Sequence, residues 1–282
     1  MIMKTRTAAI AGAALLLLAA GGLGWRLLDH ASPALSPPPE PDASAAPLPV
    51  PPVPPRLTEG PRYEQCLAML PDDPRGAASF AAGWTDGGDG AAHCQAMAEV
   101  ALGNMETGAA HLQGLAAASH APPAARAAVF GQAAQAWLMA GNAAQAFSAG
   151  SAALALAPDD TDLLVDHAVA AGALNRFEDA LDDLTRALDG DPRRTEALVL
   201  RAAAWRHLGL LDLAQDDVDR AIAIDAENAE ALLERGILRQ RRNDWLGARD
   251  DWQRAIELAP DSATADLAEQ NLALLEAGPV SK

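Results

Sequence analysis

Ala180-Leu-Asp-Asp-Leu-Thr-Arg-Ala187, Ala214-Gln-Asp-Asp-Val-Asp-Arg-Ala221 and Ala248-Arg-Asp-Asp-Trp-Gln-Arg-Ala255 repeat one box, each starting 34 residues after the last. The stretch from Ala146 to Ala153 keeps the two alanines and the step but lacks the charges. Small residues returning at a fixed period of this length mark an array of helical hairpins, in which each unit buries its face only by stacking on the next.

Working outward from the boxes gives four units: 127–160, 161–194, 195–228 and 229–262. Position four holds Phe130, Leu164, Leu198 and Leu232, and position eight holds Ala134, Ala168, Ala202 and Gly236. A large and a small residue four apart turn one face of the first helix towards its partner. Alanines at positions twenty and twenty-seven, seven apart, share one face of the second helix. Gly141, Asn175, Gly209 and Asn243 hold position fifteen, where a tight turn needs a left-handed backbone. Proline at position thirty-two (Pro158, Pro192 and Pro260) ends the second helix. Residues 89–122 read as a degenerate preceding unit, offset by four residues, with Asp89 as a helix cap and Pro122-Pro123 in the joint.

This pattern resembles the tetratricopeptide repeat family over 127–262, and loosely over 89–122. The resemblance implies an all-α, right-handed α-solenoid of helical hairpins. A helix at 265–275, within the 263–282 tail, would cap the open end. Position eleven carries the family's aromatic only as Trp137 and Trp205, and Gly150 at position twenty-four predicts loose packing in the first unit. The resemblance also implies that the first helix of each unit lines a concave, partner-binding surface. Its candidates here are Gln135, Val165, Val169, Val199, Arg206, His207, Leu233, Ile237 and Arg241. Lys and Asn, which clamp a partner's carboxylate in some family members, are missing from positions two, five and nine. With basic groups gathered at Arg206, His207 and Arg241, a protein segment with an apolar face and an acidic end is the expected ligand.

Within the boxes, Asp182–Arg186, Asp216–Arg220 and Asp250–Arg254 stand four apart, as a solvated ladder on the outer face would. The six histidines are scattered, and no nucleophile–base or paired-carboxylate arrangement stands out, so the expectation is a non-enzyme without cofactor or metal. A net charge of −17 argues against nucleic acid as a partner. No small-molecule substrate is expected.

Residues 60–126 read as an N-terminal helical module containing both cysteines, Cys66 and Cys94. These are expected to pair, closing a 28-residue span worth about 3 kcal/mol in a chain-entropy model. A metal set of Cys66, His93, Cys94 and His111 is the weaker alternative. Lys4 and Arg6 precede a charge-free core at 8–23 within residues 1–28, which form either a signal peptide or a single transmembrane anchor. The proline-rich linker, 29–59, then favours polyproline II. The expectation is therefore a protein-interaction scaffold in the bacterial envelope, its array periplasmic and held at the inner membrane or released. Two alternatives stay open. One is an assembly factor for an envelope complex such as cytochrome c maturation, whose anchored repeat proteins share this layout. The other is a redox- or metal-linked protein built on Cys66 and Cys94.

Overall fold

A computed structural model describes residues 55–277. The apolar segment and most of the proline-rich linker lie outside the described residues, as does the end of the tail. Among the described residues there are thirteen helices and no strand. Helices α1 (Pro61–Met69), α2 (Pro74–Gly83), α3 (Gly88–Ala101) and α4 (Met105–Ala118) form the N-terminal module. The four units follow as α5 (Pro123–Met139) with α6 (Ala143–Leu156), α7 (Thr161–Ala173) with α8 (Phe177–Gly190), α9 (Thr195–His207) with α10 (Leu211–Ile224), and α11 (Ala229–Arg241) with α12 (Trp245–Leu258). The last helix, α13 (Ala263–Ala277), packs on α12 and α11 as the cap.

Every expected column has its structural counterpart. Gly141, Asn175, Gly209 and Asn243 have φ of 76, 58, 78 and 64°, and Gly103, the same position of the offset unit, has 88°. The left-handed residue lets the amide at position sixteen turn back on the carbonyl at position eleven. That bond recurs from Asn104 to Glu99, Asn142 to Trp137, Arg176 to Ala171, Leu210 to Trp205 and Asp244 to Arg239, at 2.8–2.9 Å. It is the helix-ending motif in which a residue beyond the turn satisfies a last-turn carbonyl. The alanines at positions twenty and twenty-seven are all buried. Gly108 occupies position twenty of the offset unit, where an added Cβ would lie 2.5 Å from Val100 Cγ2.

Three expectations change. Gly150 does not leave a void: an added Cβ there would lie 2.9 Å from the His167 ring, which fills the space. Asp89 does not cap α3; it sits in the first turn and accepts from Ser119 Oγ at 2.5 Å, tying the end of α4 to the start of α3.

The boxes are the largest change. The second aspartate of each lies under the array surface and meets position seven of its own first helix. Asp217 accepts two bonds from Arg201 at 2.7 and 2.8 Å, and Asp251 two from Arg235 at 2.7 and 2.9 Å. Asp183 lies 2.6 Å from His167 Nδ1. The three aspartates are buried. In the first unit the same two positions are Ala133 and Ala149, so charge and partner are missing together. Among the described residues, none of the three i,i+4 pairs forms. The box arginines instead reach back 28 or 27 residues, Arg186 to the Pro158 carbonyl, Arg220 to the Pro192 carbonyl and Arg254 to Glu227. A cation at the C-terminal end of the preceding helix also suits its dipole.

Candidate functional site

The first helices α5, α7, α9 and α11 stand side by side, so residues 34 apart line up across the array. Between α7, α9 and α11 lies a cleft of about 390 Å³ lined by Val169, Val199 and Leu200 with Thr195, Glu196, Asn228 and Glu230. A second recess, about 220 Å³, shares Val169 and Leu200 and runs along α7 and α9 to Phe177 and His207. At that end the His207 ring stacks on Phe177, centroids 4.3 Å apart and nearly parallel.

Apart from Arg206, the residues expected on the concave surface divide into three groups. Val169, Val199 and His207 line the two recesses, and Arg241 and half-buried Ile237 lie on the next first helix. Val165 and Leu233 do not reach the surface: both are buried in the seams between units, with 1% and 8% exposure. Gln135 is exposed but engaged, donating to Asp166 Oδ2 at 2.8 Å.

Arg206 is a correction of chemistry. Its Nε donates to Glu234 at 2.5 Å, and Glu234 is buried. Burial pushes the Glu234 carboxyl above the usual carboxylate range, with Arg206 partly offsetting it. The fixed positive charge there therefore reduces to Arg241. Burial holds the His207 imidazole below its ordinary value, and the charges of Arg206 and Arg241 lower it further.

Position two forms the opposite edge of the cleft, and its shared charge is what the sequence reading passes over. Position two carries Asp162, Glu196 and Glu230 in the last three units and Ala128 in the first. Arg194 bridges Asp162 and Glu196, and Glu230 makes no ion pair among the described residues. Burial raises the Asp166 carboxyl despite the bond from Gln135, and neighbouring Glu196 and Asp162 raise it further. The column is readable as a run of like charge at a step of 34, but looking for Lys and Asn at position two passes over it.

The N-terminal module holds a separate polar cluster. Cys66 and Cys94 are bonded across α1 and α3 with Cα atoms 6.2 Å apart, within the ordinary range for a disulfide. Beside them His93 is clasped between Tyr63 Oη and Gln132 Oε1, each at 2.7 Å. The alternative metal set is not assembled: His93 is engaged in this chain and His111 pairs with Glu99 at 2.7 Å. Burial pushes the Tyr63 hydroxyl up to about 12 and holds His93 below its ordinary value. Among the described residues no helix is long and apolar enough to cross a membrane.

No family model and no curated protein sequence matches the chain. Solved structures do. YrrB, described as a TPR protein with an unusual peptide-binding site, is 19% identical over 70% of this chain and 98% of its own, with a TM-score of 0.51. TTC0263, a thermophilic TPR protein in Thermus thermophilus, is 19% identical over 66% of this chain and 100% of its own, at 0.53. The APC/C hetero-tetramer Cut9-Hcn1 matches at 14% identity and a TM-score of 0.56, over 75% of this chain and 42% of that one. Identities this low speak for the fold alone, and with hairpins 34 residues apart and a left-handed turn in each, that fold is the tetratricopeptide-repeat solenoid.

Proposed function

We propose that this protein is a non-catalytic scaffold that holds a protein segment in the concave cleft between α7, α9 and α11. The observation that carries the reading is the cleft itself, lined by apolar Val169, Val199 and Leu200 together with Thr195, Glu196, Asn228 and Glu230. Recognition sites combine an apolar interior with a few placed polar groups in this way. The peptide-binding site attributed to YrrB is a precedent on the same fold. Display outside the cytoplasmic membrane is part of the proposal and rests on Lys4, Arg6 and the apolar core that follows.

The test is site-specific photo-crosslinking in intact cells. A crosslinking side chain at Val199 should capture a partner that one at Asp250, on an outer helix, does not. Once purified, that partner should bind V199R at least ten-fold more weakly than the wild type and D250R equally well. Equal capture at both positions would remove the cleft from the reading. Protease added to spheroplasts should digest the array; protection would place it inside and overturn the display.

A further inference from the structure

We infer that the cleft takes an extended peptide segment with a basic residue at one end, an acidic residue at the other and apolar side chains between. The inference rests on the scaffold reading above and specifies the ligand. The apolar floor is continuous, because the two recesses share Val169 and Leu200. Its two ends carry opposite charge. At the start of the first helices stand Glu196 and Glu230 on the rim, with Asp162 and Asp166 beside them, against a single bridging cation, Arg194. At the other end Arg241, which makes no ion pair among the described residues, stands beside the His207 imidazole, while Arg206 is engaged by Glu234.

The span sets the ligand's length. Positions two and thirteen are eleven residues apart on one helix, roughly 16 Å at about 1.5 Å per residue. An extended segment covers that distance in about five residues. The acids, in excess over Arg194, attract a lysine or arginine and repel a carboxylate, whereas the Arg241 edge does the reverse. Like-charge juxtaposition discriminates more strongly than attraction at an exposed rim. A segment with the same charge at both ends therefore meets one hostile edge in either chain direction.

Three peptides capped at both termini test this against the full-length protein by fluorescence anisotropy at low salt: Lys-Ala-Leu-Val-Ala-Glu, Lys-Ala-Leu-Val-Ala-Lys and Glu-Ala-Leu-Val-Ala-Glu. The first should bind at least ten-fold more tightly than the other two. The E196K/E230K variant should shift the preference to the doubly acidic peptide and R241E to the doubly basic one. All three side chains are exposed, and circular dichroism checks that the variants keep their helices. Binding of the three peptides within two-fold of one another, or of none, overturns the inference. A partner captured through Val199 would still uphold the scaffold reading, so the two failures are distinguishable.

Discussion

The two halves of the array solve one packing problem with opposite polar chemistry. From α1 to α6 the buried polar groups are neutral: Tyr63, His93 and Gln132 form one chain, Trp137 donates to Gln113, and positions seven and twenty-three of the first unit are alanines. From α7 to α12 the same two positions carry a base and an acid in every unit. The backbone is the same in both, with the same left-handed turn and the same buried alanines. The fold is therefore carried by the small residues and the turns. The ion pairs are a local substitution, tolerated because both partners change together.

That comparison is most easily broken by separating the partners. Asp217→Ala leaves the Arg201 guanidinium, only 15% exposed, without its bidentate acceptor. A stranded buried charge costs roughly 3–5 kcal/mol. The double change R201A/D217A recreates the alanine pair of the first unit and should recover most of the loss. Chemical denaturation followed by circular dichroism decides it. If the double variant is as unstable as the single one, the interchangeability of the two solutions is wrong.

The neutral half has its own dependencies, both smaller. Replacing both cysteines by alanine should lower the stability of the α1–α4 region by about 3 kcal/mol under oxidising conditions, and have a smaller effect in reductant. The array beyond α7 should melt unchanged.

Tyr63 is the chain's one tyrosine, so its ionisation can be followed at 295 nm. The folded hydroxyl should titrate near 12 against 10 in denaturant. A raised value means that the folded state prefers the neutral phenol. Its contribution is complete below pH 10 and is lost between 10 and about 12, a matter of roughly 2–3 kcal/mol. His93 has the opposite sign. Burial lowers its value from 6.5, so the unfolded chain protonates first and stability falls as pH drops below 6.5. A folded-state tyrosine titrating at 10 would place Tyr63 in water.

Gly236 sharpens the contrast between units. A Cβ there would lie 2.3 Å from the indole Nε1 of Trp252, which donates to the Leu233 carbonyl at 3.2 Å. Gly236→Ala should cost about 1–3 kcal/mol by overpacking. Gly114→Ala, on an open face of α4, should instead stabilise by up to about 1 kcal/mol.

The columns of small residues and turn residues make helix order and boundaries legible, because one-turn mistakes in a repeat are corrected by its other copies. What stays hidden depends on how units twist against each other. Helical neighbours point about 100° apart, so one aspartate of each pair has to face inward, yet the charge pattern alone presents both as solvated. The signal is present: positions seven and twenty-three change together within this one chain, as Arg201 with Asp217 and Ala133 with Ala149. Arg206 misleads for a different reason. Its partner Glu234 lies 28 residues away in the next unit, and only the stacking geometry brings them together. Val165, Val199 and Leu233 share position five, yet only Val199 opens into the cleft.

The smallest expected effect concerns the turns, where both halves must satisfy the same backbone requirement. Gly103 and Gly141 serve the neutral half, and Asn175, Gly209 and Asn243 the charged half, all at positive φ. Asparagine tolerates this region because its short polar side chain can bond locally, whereas a Cβ elsewhere costs about 1–2 kcal/mol. Glycine removes that cost but enlarges the unfolded ensemble. The two terms nearly cancel, so Asn175→Gly and Asn243→Gly should change stability by only a few tenths of a kcal/mol. Asn175→Ala should cost about 1 kcal/mol, since alanine has the Cβ without the side-chain bond. If Asn175→Gly costs as much as Asn175→Ala, asparagine is held at position fifteen by a specific side-chain interaction rather than by backbone tolerance. The turns of the two halves would then differ in kind, as their interiors do.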